Sequence, residues 1–265
     1  MEFSEAIHRQ GQALSYLGRH QGALERYDKS LKDEPDNPVA WSDRGYTLEK
    51  LGQYEEAAAS FAAALDLRPR YARAWLGQGI VWAQMGESTR ALHSFDQALH
   101  LTPKDYRAWY NRGKVMLSLQ RYREAIQSFD QTIDYNPRKH QAWYHRATAF
   151  VQQQQYPEAL SSLKTTLTLK PDCYYAWNYQ GLLLSHLGQM EGAAASFQAS
   201  LNHRPTNFEA QWGLVKVHLA RQQVELACGA LEQAFAADPQ RCRMRLARDP
   251  QCLDLRCHAR ARALL

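Results

Sequence analysis

Apolar and small residues recur along this chain in blocks of 34 residues, and their spacing inside each block is helical. Positions four, eight and eleven are apolar or small, and steps of four and three residues place them on one face of a helix. Positions 20, 24, 27 and 28 repeat this spacing and predict a second helix. The pattern therefore predicts seven helix-turn-helix units in tandem. Their register is 4–37, 38–71, 72–105, 106–139, 140–173, 174–207 and 208–241.

Four positions of the block carry the same type of residue in nearly every copy. Position four is Ile7, Trp41, Trp75, Trp109, Trp143, Trp177 and Gln211. Position eight is Gly11, Gly45, Gly79, Gly113, Ala147, Gly181 and Val215. Position 20 is always alanine, and position 32 is always a proline, which cannot continue a helix and closes the second one. We expect the small residue at position eight to leave room for the large side chain at position 24 of the paired helix.

These landmarks resemble those of the tetratricopeptide repeat family in period, helix count and residue type, over residues 4–241. The resemblance implies an all-α fold, a right-handed superhelical solenoid of helix-turn-helix repeats that binds other proteins in its concave groove. Residues 242–265 resemble the endings of bacterial members, so we predict that they form capping helices over the last repeat. Because the tryptophans are in phase with the alanines and rings of the second helix, we expect them to pack in the core.

Positive charge is concentrated at the carboxyl end of the chain. Residues 241–265 hold seven arginines against Asp249 and Asp254, which accounts for the net charge of +5. The arginines are Arg241, Arg243, Arg245, Arg248, Arg256, Arg260 and Arg262. We expect them to point outward from the cap. This basic tail is compatible with a solvated cap, a contact for an acidic protein, or a contact for phosphate on RNA or anionic lipid.

Signatures of catalysis are missing from the sequence: it has no phosphate-binding glycine loop, no Gly-x-Ser-x-Gly and no His-Glu-x-x-His. Cys242, Cys252, Cys257 and His258 could in principle bind zinc, but their spacing is wider than that of paired ligands. We therefore predict no enzyme activity, no metal and no cofactor. The odd number of cysteines, the absence of a long apolar run and the amino-terminal sequence favour a cytoplasmic protein without disulfides.

Candidate binding residues lie at positions five and nine, on a stripe of the first helix that differs from the packing face. In the tetratricopeptide family this stripe lines the concave groove and contacts ligands. The predicted partner-binding residues are Leu76, Ile80, Tyr110, Lys114, Tyr144, Thr148, Asn178, Leu182, Trp212 and Lys216. Leu76, Ile80, Leu182 and Trp212 would be apolar anchors, and Lys114 and Lys216 would orient an acidic group. The alternative is that neighbouring repeats bury the apolar members.

The sequence thus predicts a non-catalytic scaffold or adaptor that binds a peptide or helix of a partner protein, in the assembly of a larger complex. The clamp by which some family members hold the carboxyl terminus of chaperones is not expected, because only Asn111 matches its pattern. The alternative function is a nucleic-acid or membrane-surface adaptor that acts through the basic tail. Partner identity and oligomeric state stay open.

Overall fold

The computed structural model describes residues 2–252 together with Leu255 and His258. This part of the chain forms fifteen α-helices and one 3-10 helix, with no strand. The first eight helices are α1 Glu2–Tyr16, α2 His20–Asp33, α3 Pro38–Leu51, α4 Tyr54–Leu67, α5 Ala72–Gln84, α6 Ser88–Leu101, α7 Tyr106–Ser118 and α8 Tyr122–Tyr135. The others are α9 His140–Gln152, α10 Tyr156–Leu169, α11 Tyr174–His186, α12 Met190–His203, α13 Phe208–Ala220, α14 Val224–Ala237 and α15 Pro239–Arg248, followed by the 3-10 helix Pro250–Cys252. The prediction of an all-α fold of consecutive helix pairs is confirmed.

The chain divides into two compact units, an amino-terminal unit of residues 1–142 and a carboxy-terminal unit of residues 143–265. In the amino-terminal unit, each odd-numbered helix packs against the even-numbered helix that follows it, from α1 with α2 to α7 with α8. The odd-numbered helices α1, α3, α5 and α7 also contact one another in succession. In the carboxy-terminal unit, α11 pairs with α12, α13 pairs with α14, and α11 contacts α13.

Five helix pairs are held by a large buried ring that fits closely against a glycine of the paired helix. Phe95 is fully buried, and a Cβ atom on Gly79 would lie only 2.6 Å from its ring. The other buried rings at this position are Tyr27, Phe61, Phe129 and Phe197, each facing a glycine in the same way. Where Ala147 replaces the glycine, Leu163 replaces the ring. The close packing predicted between positions eight and 24 is therefore present.

The tryptophans of position four join each first helix to the turn before it. Their indole Nε1 atoms donate hydrogen bonds of 2.7–2.9 Å to the carbonyl oxygens of the position-32 prolines. The described pairs are Trp41 with Pro35, Trp75 with Pro69, Trp109 with Pro103 and Trp177 with Pro171. In the last repeat, Gln211 Nε2 donates the same bond to Pro205 at 2.8 Å. The indole rings are half-buried and pack against the core, so they are not open platforms.

The turns between paired helices require a residue with positive φ. Gly18, Gly52, Gly86 and Gly188 supply it, with φ between 73° and 81°. Three repeats place a glutamine there instead, with φ of 59°, 60° and 56° at Gln120, Gln154 and Gln222. A residue with a Cβ atom is strained in this left-handed region, whereas glycine is not.

After α14 the chain folds back as a cap. Asp238 precedes α15, and its Oδ1 atom accepts a hydrogen bond of 3.0 Å from the backbone N–H of Arg241. Helix α15 packs on α14, and the 3-10 helix packs on α13. Cys242 and Leu246 are buried, as is Leu255. The predicted second capping helix falls mainly on residues outside the described part of the chain.

The ring–glycine contact predicts the effect of a paired substitution. Gly79→Ala should destabilise the protein by about 1–3 kcal/mol, because the new methyl group overpacks against Phe95. Adding Phe95→Leu should restore part of this loss, since it reproduces the pairing of Ala147 with Leu163. Denaturant unfolding of the two single variants and the double variant measures this coupling. Strictly additive losses would contradict the steric explanation.

The strained turns predict a stabilising substitution. Gln120→Gly should raise the free energy of unfolding by about 0.5–1 kcal/mol, because glycine adopts the positive φ without a steric cost. The matched control is Gln127→Gly within α8, which should lower stability by about 1 kcal/mol. Equal losses in both variants would show that the turn at Gln120 carries no strain.

Candidate functional site

The amino-terminal unit contains a cleft of about 410 Å³ on the odd-numbered helices α3, α5 and α7. We call it the tyrosine–cation cleft. Its lining residues are Tyr46, Arg73, Leu76, Ile80, Tyr106, Arg107, Tyr110, Asn111 and Lys139. Three of these are cationic, three are tyrosines, and none is acidic. The cleft therefore presents positive charge beside aromatic surface.

Arg73 is held in place by a buried carboxylate. Its Nη2 atom lies 2.6 Å from Oδ1 of Asp43. Asp43 Oδ2 is 2.9 Å from His8 Nε2 and accepts a hydrogen bond of 2.9 Å from Gln12 Nε2. Burial acts to raise the pKa of Asp43, but the hydrogen bond with His8 and the charge of Arg73 outweigh it and hold that pKa below its usual value. The network thus keeps Asp43 ionised and Arg73 in one orientation.

The second arginine of the cleft is fixed in a similar way. Arg107 donates from Nε and Nη2 to the two carboxylate oxygens of Asp105, at 2.9 and 2.7 Å. Lys139 contributes a third positive charge, with its Nζ atom 4.9 Å from the centre of the Tyr110 ring. Burial raises the pKa of Tyr110, which keeps its hydroxyl protonated as a hydrogen-bond donor.

Tyr46 forms one wall of the tyrosine–cation cleft. Its hydroxyl donates a hydrogen bond of 2.8 Å to the backbone oxygen of Arg73, and its ring meets that of Phe61 edge to face at 5.0 Å. Burial raises the pKa of Tyr46. The wall is therefore anchored both by packing and by a hydrogen bond.

The four predicted residues of the amino-terminal unit fall into three groups by exposure. Leu76 borders the tyrosine–cation cleft but is only 2% exposed and belongs to the hydrophobic core, as in the alternative in which neighbouring repeats bury the apolar residues. Ile80 and Tyr110 are half-buried and line the tyrosine–cation cleft. Lys114 is exposed and lines an adjoining cleft of about 200 Å³, which shares Ile80 and Asn111 with the first.

Several lining residues were not among those predicted from the sequence. Arg73 and Arg107 occupy position two of their repeats, which lies on the same helical stripe as positions five and nine. The sequence alone could therefore have indicated that both arginines lie on this stripe. Lys139 ends its repeat in a turn, and no helical period indicates that it approaches Tyr110.

In the carboxy-terminal unit, the predicted residues have different surroundings. Tyr144 packs edge to face with Tyr175 at 4.8 Å and with Tyr179 at 5.9 Å. Thr148 is half-buried and donates its hydroxyl hydrogen to the backbone oxygen of His145 at 2.6 Å. Asn178 is also half-buried. These residues form a tyrosine-rich surface on α9 and α11.

A second cavity of about 600 Å³, which we call the cap pocket, lies in the carboxy-terminal unit between α11, α13 and α15. Its lining residues are Leu182, Glu209, Trp212, Gly213, Lys216, Met244, Arg245, Arg248 and Asp249. The predicted residues Leu182, Trp212 and Lys216 therefore meet here. Leu182 is 45% exposed, whereas Trp212 is only 4% exposed and stacks on Phe208.

The expectation that the tail arginines point outward is wrong for two of them. Arg245 donates to both carboxylate oxygens of Glu209, at 2.9 and 3.0 Å, and Arg241 also pairs with Glu209. Both guanidinium groups lie over the ring of Phe208, at 4.8 Å for Arg241 and 5.4 Å for Arg245. They turn inward because a carboxylate and an aromatic face on α13 offer both an ion pair and a stacking surface.

The remaining arginines of the basic tail differ in their surroundings. Arg243 lies over the ring of Phe235 at 5.2 Å, and Arg248 is exposed at the end of α15. Arg256, Arg260 and Arg262 lie outside the described residues.

The carboxy-terminal cysteines form part of the packing of the cap. Cys242 and Cys252 are buried, and burial raises the pKa of the Cys242 thiol to about 11. His258 Nδ1 lies 3.2 Å from Sγ of Cys228, and Cys257 lies outside the described residues. Within the described part of the chain, no group of three or more histidine, cysteine or acidic side chains is arranged to hold a metal ion.

Consecutive packed helix pairs with clefts on their first helices define a helical-repeat protein. The sequence model of the tetratricopeptide repeat family matches this chain over residues 8–72, 42–89, 83–126, 116–160 and 144–207. The chain therefore belongs to the tetratricopeptide repeat family, whose members generally act as non-catalytic scaffolds for protein interactions. None of the helices in the described part combines the length and the apolar character needed to cross a membrane.

Solved structures share this fold. A tetratricopeptide repeat protein from Parabacteroides merdae is 19% identical, with a TM-score of 0.67 over 93% of this chain and 98% of that one. YrrB, described as having an unusual peptide-binding site, is 21% identical, with a TM-score of 0.62 over 76% of this chain and 100% of that one. MamA is 24% identical, with a TM-score of 0.57 over 64% of this chain and 93% of that one. Among curated proteins, none matches this chain in sequence.

The buried Asp43 network predicts a pH-dependent stability. Asp43→Asn should lower the free energy of unfolding by about 1–3 kcal/mol at pH 7, because His8 and Arg73 lose a charged acceptor. Since the folded-state pKa of Asp43 is lowered, its stabilisation is complete above the unfolded-state pKa of about 4 and is lost as the pH falls through the folded-state pKa. The difference between wild type and variant should therefore shrink below that pH.

Thermal unfolding between pH 7 and pH 3 measures this difference. The control is the exposed Asp66→Asn, which should leave the unfolding temperature nearly unchanged across the range. A difference between wild type and Asp43→Asn that stays constant down to the lowest pH would show that the charge of Asp43 is not what stabilises the network.

Proposed function

We propose that this protein is a non-catalytic scaffold that binds an acidic segment of a partner protein in the tyrosine–cation cleft, and that it thereby helps to assemble a larger complex. The observation that carries the proposal is the composition of the cleft: three cations and three tyrosines line it, without any carboxylate. An acidic segment complements this charge, and its neighbouring side chains find aromatic surface beside it.

The two arginines are suited to fixed hydrogen bonds with a carboxylate. A guanidinium group has five N–H donors, and an aspartate uses only some of them. Asp43 and Asp105 hold Arg73 and Arg107 in one position, so little side-chain entropy is lost when a ligand binds. Because these two aspartates offset the arginine charges, Lys139 supplies the excess positive charge that attracts an acidic segment.

The tyrosines and Ile80 supply the apolar part of the proposed contact. Tyr46 and Tyr110 are large, have few rotatable bonds and keep their hydroxyls protonated, so they provide contact area at low entropic cost. Ile80 lies between the tyrosine–cation cleft and the adjoining cleft of Lys114, which suggests that a bound segment extends along both. The fold shared with YrrB, whose description includes a peptide-binding site, is consistent with this mode of binding.

The alternative function, a nucleic-acid or membrane-surface adaptor, has weaker support. It depends on free arginines in the basic tail, but Arg241 and Arg245 are paired with Glu209. The aromatic rings beneath these arginines, those of Phe208 and Trp212, are buried and therefore inaccessible. Without exposed rings, bases have little surface on which to stack.

The proposal predicts which variants lose the partner. Lys114→Glu combined with Lys139→Glu should abolish capture of the partner from a nuclease-treated lysate, because the cleft then repels an acidic segment. The matched control is Lys32→Glu with Lys104→Glu, which makes the same change of charge at two exposed lysines of the same unit outside the cleft.

Affinity purification at several salt concentrations, followed by mass spectrometry, measures the captured proteins, and circular dichroism confirms that both variants are folded. An acidic protein held by wild type and by the control, but not by the cleft variant, supports the proposal. Equal capture by all three contradicts it. Capture from an untreated lysate that is lost entirely when the lysate is treated with nuclease would favour the alternative function.

A further inference from the structure

The cap pocket owes its shape to a shifted aromatic residue. In the last repeat, position four is Gln211 rather than tryptophan, and the indole stands one residue later, at Trp212. Gln211 retains the hydrogen bond to Pro205, so the helix keeps its place. Trp212 instead stacks on Phe208, with their ring centres 6.2 Å apart, beneath the guanidinium groups of α15. The cap and the last repeat thus build this cavity together.

The walls of the cap pocket carry two large apolar side chains that are open to solvent. Leu182 on α11 is 45% exposed, and Met244 on α15 is 48% exposed. Methionine adapts its shape to different partners, and apolar side chains that line one cavity provide contact surface for an apolar group of a ligand. A cavity of about 600 Å³ has room for a bulky side chain and its adjoining backbone.

The charges around the pocket leave an excess of positive charge. Glu209 forms ion pairs with Arg241 and Arg245, and Oδ2 of Asp249 lies 3.5 Å from Nζ of Lys216. Arg248 lines the same pocket, and within the described part of the chain it has no ion-pair partner. A ligand with one negative charge near Arg248 therefore matches the pocket in charge.

We propose that the cap pocket is a second protein-binding site, which takes a segment of a partner protein that carries a bulky apolar side chain beside an acidic one. The apolar side chain enters between Leu182 and Met244, and the carboxylate pairs with Arg248. The site lies wholly in the carboxy-terminal unit, so it is independent of the tyrosine–cation cleft. Nucleic acid does not fit it, because Trp212 is too deeply buried for a base to stack on it.

The methionine in the pocket wall allows a direct test by NMR with ¹³C-methyl methionine. The probe is a short capped peptide with one phenylalanine between two glutamates in a glycine–serine background. It is added to the full chain carrying Lys114→Glu and Lys139→Glu, which closes the cleft of the other unit to acidic ligands. The Met244 resonance, assigned with Met244→Leu, should move progressively with peptide concentration, while those of Met85 and Met116 stay fixed.

Matched variants test each part of the site. Leu182→Asp should weaken binding at least about tenfold, because it replaces an apolar wall with a charge that repels the glutamates. Arg248→Ala should weaken it about two- to fivefold, as expected for an exposed ion pair. The controls are Leu226→Asp, at a leucine that is 55% exposed outside the pocket, and Arg243→Ala on α15. Neither control should change the affinity.

Three results would overturn the inference. The first is a Met244 resonance that does not move at millimolar peptide. The second is an equal loss of binding in Leu182→Asp and Leu226→Asp. The third is a single-stranded oligonucleotide that moves the Met244 resonance at lower concentration than the peptide does. A peptide in which alanine replaces the phenylalanine should fail to bind, and equal binding of that peptide would also count against the apolar anchor.

Discussion

The fit of a ring against a glycine is the contact on which the rest of this structure depends. At Phe95 and Gly79, and at the equivalent pairs, the two helices approach so closely that a single methyl group has no room. Where Ala147 stands in place of the glycine, the smaller Leu163 stands in place of the ring, as expected if the two positions share one volume. Protein interiors are packed as densely as crystals, so such pairs set the distance between helices closely.

Closely set helices allow charged side chains to be positioned across repeats. Asp43 on α3 pairs with Arg73 on α5, and His8 on α1 reaches the same carboxylate. Asp43 is buried whereas Arg73 is 43% exposed, and the charge-assisted pairing fixes the orientation of both side chains. Helices α1, α3 and α5 are thereby coupled through one carboxylate, whose partner Arg73 lines a candidate binding cleft.

The fold could be predicted from the sequence because the residues that define it recur every 34 residues. Seven prolines in register and a recurring alanine are sufficient to place helix pairs, since each helix is defined by residues within one block. The candidate site was predicted only in part, because it arises between blocks. Ile80 and Tyr110 lie on the predicted stripe and line the cleft, whereas Lys139 reaches the ring of Tyr110 from a turn. Leu76 has the same repeat position as Tyr110 but is buried in the hydrophobic core, a difference that the repeat position alone does not indicate.

The cap shows why charge content alone does not locate a binding surface. The seven arginines of residues 241–265 account for the whole net charge, yet Arg241 and Arg245 share one carboxylate and one aromatic ring with the last repeat. Arginine combines a planar cation with an apolar face, so it can serve packing as well as recognition. What makes a cation available to a ligand is the balance of carboxylates around it. By that measure Lys114, Lys139 and Arg248 stand out among the described residues, because each lines a cavity and none is offset by a paired carboxylate.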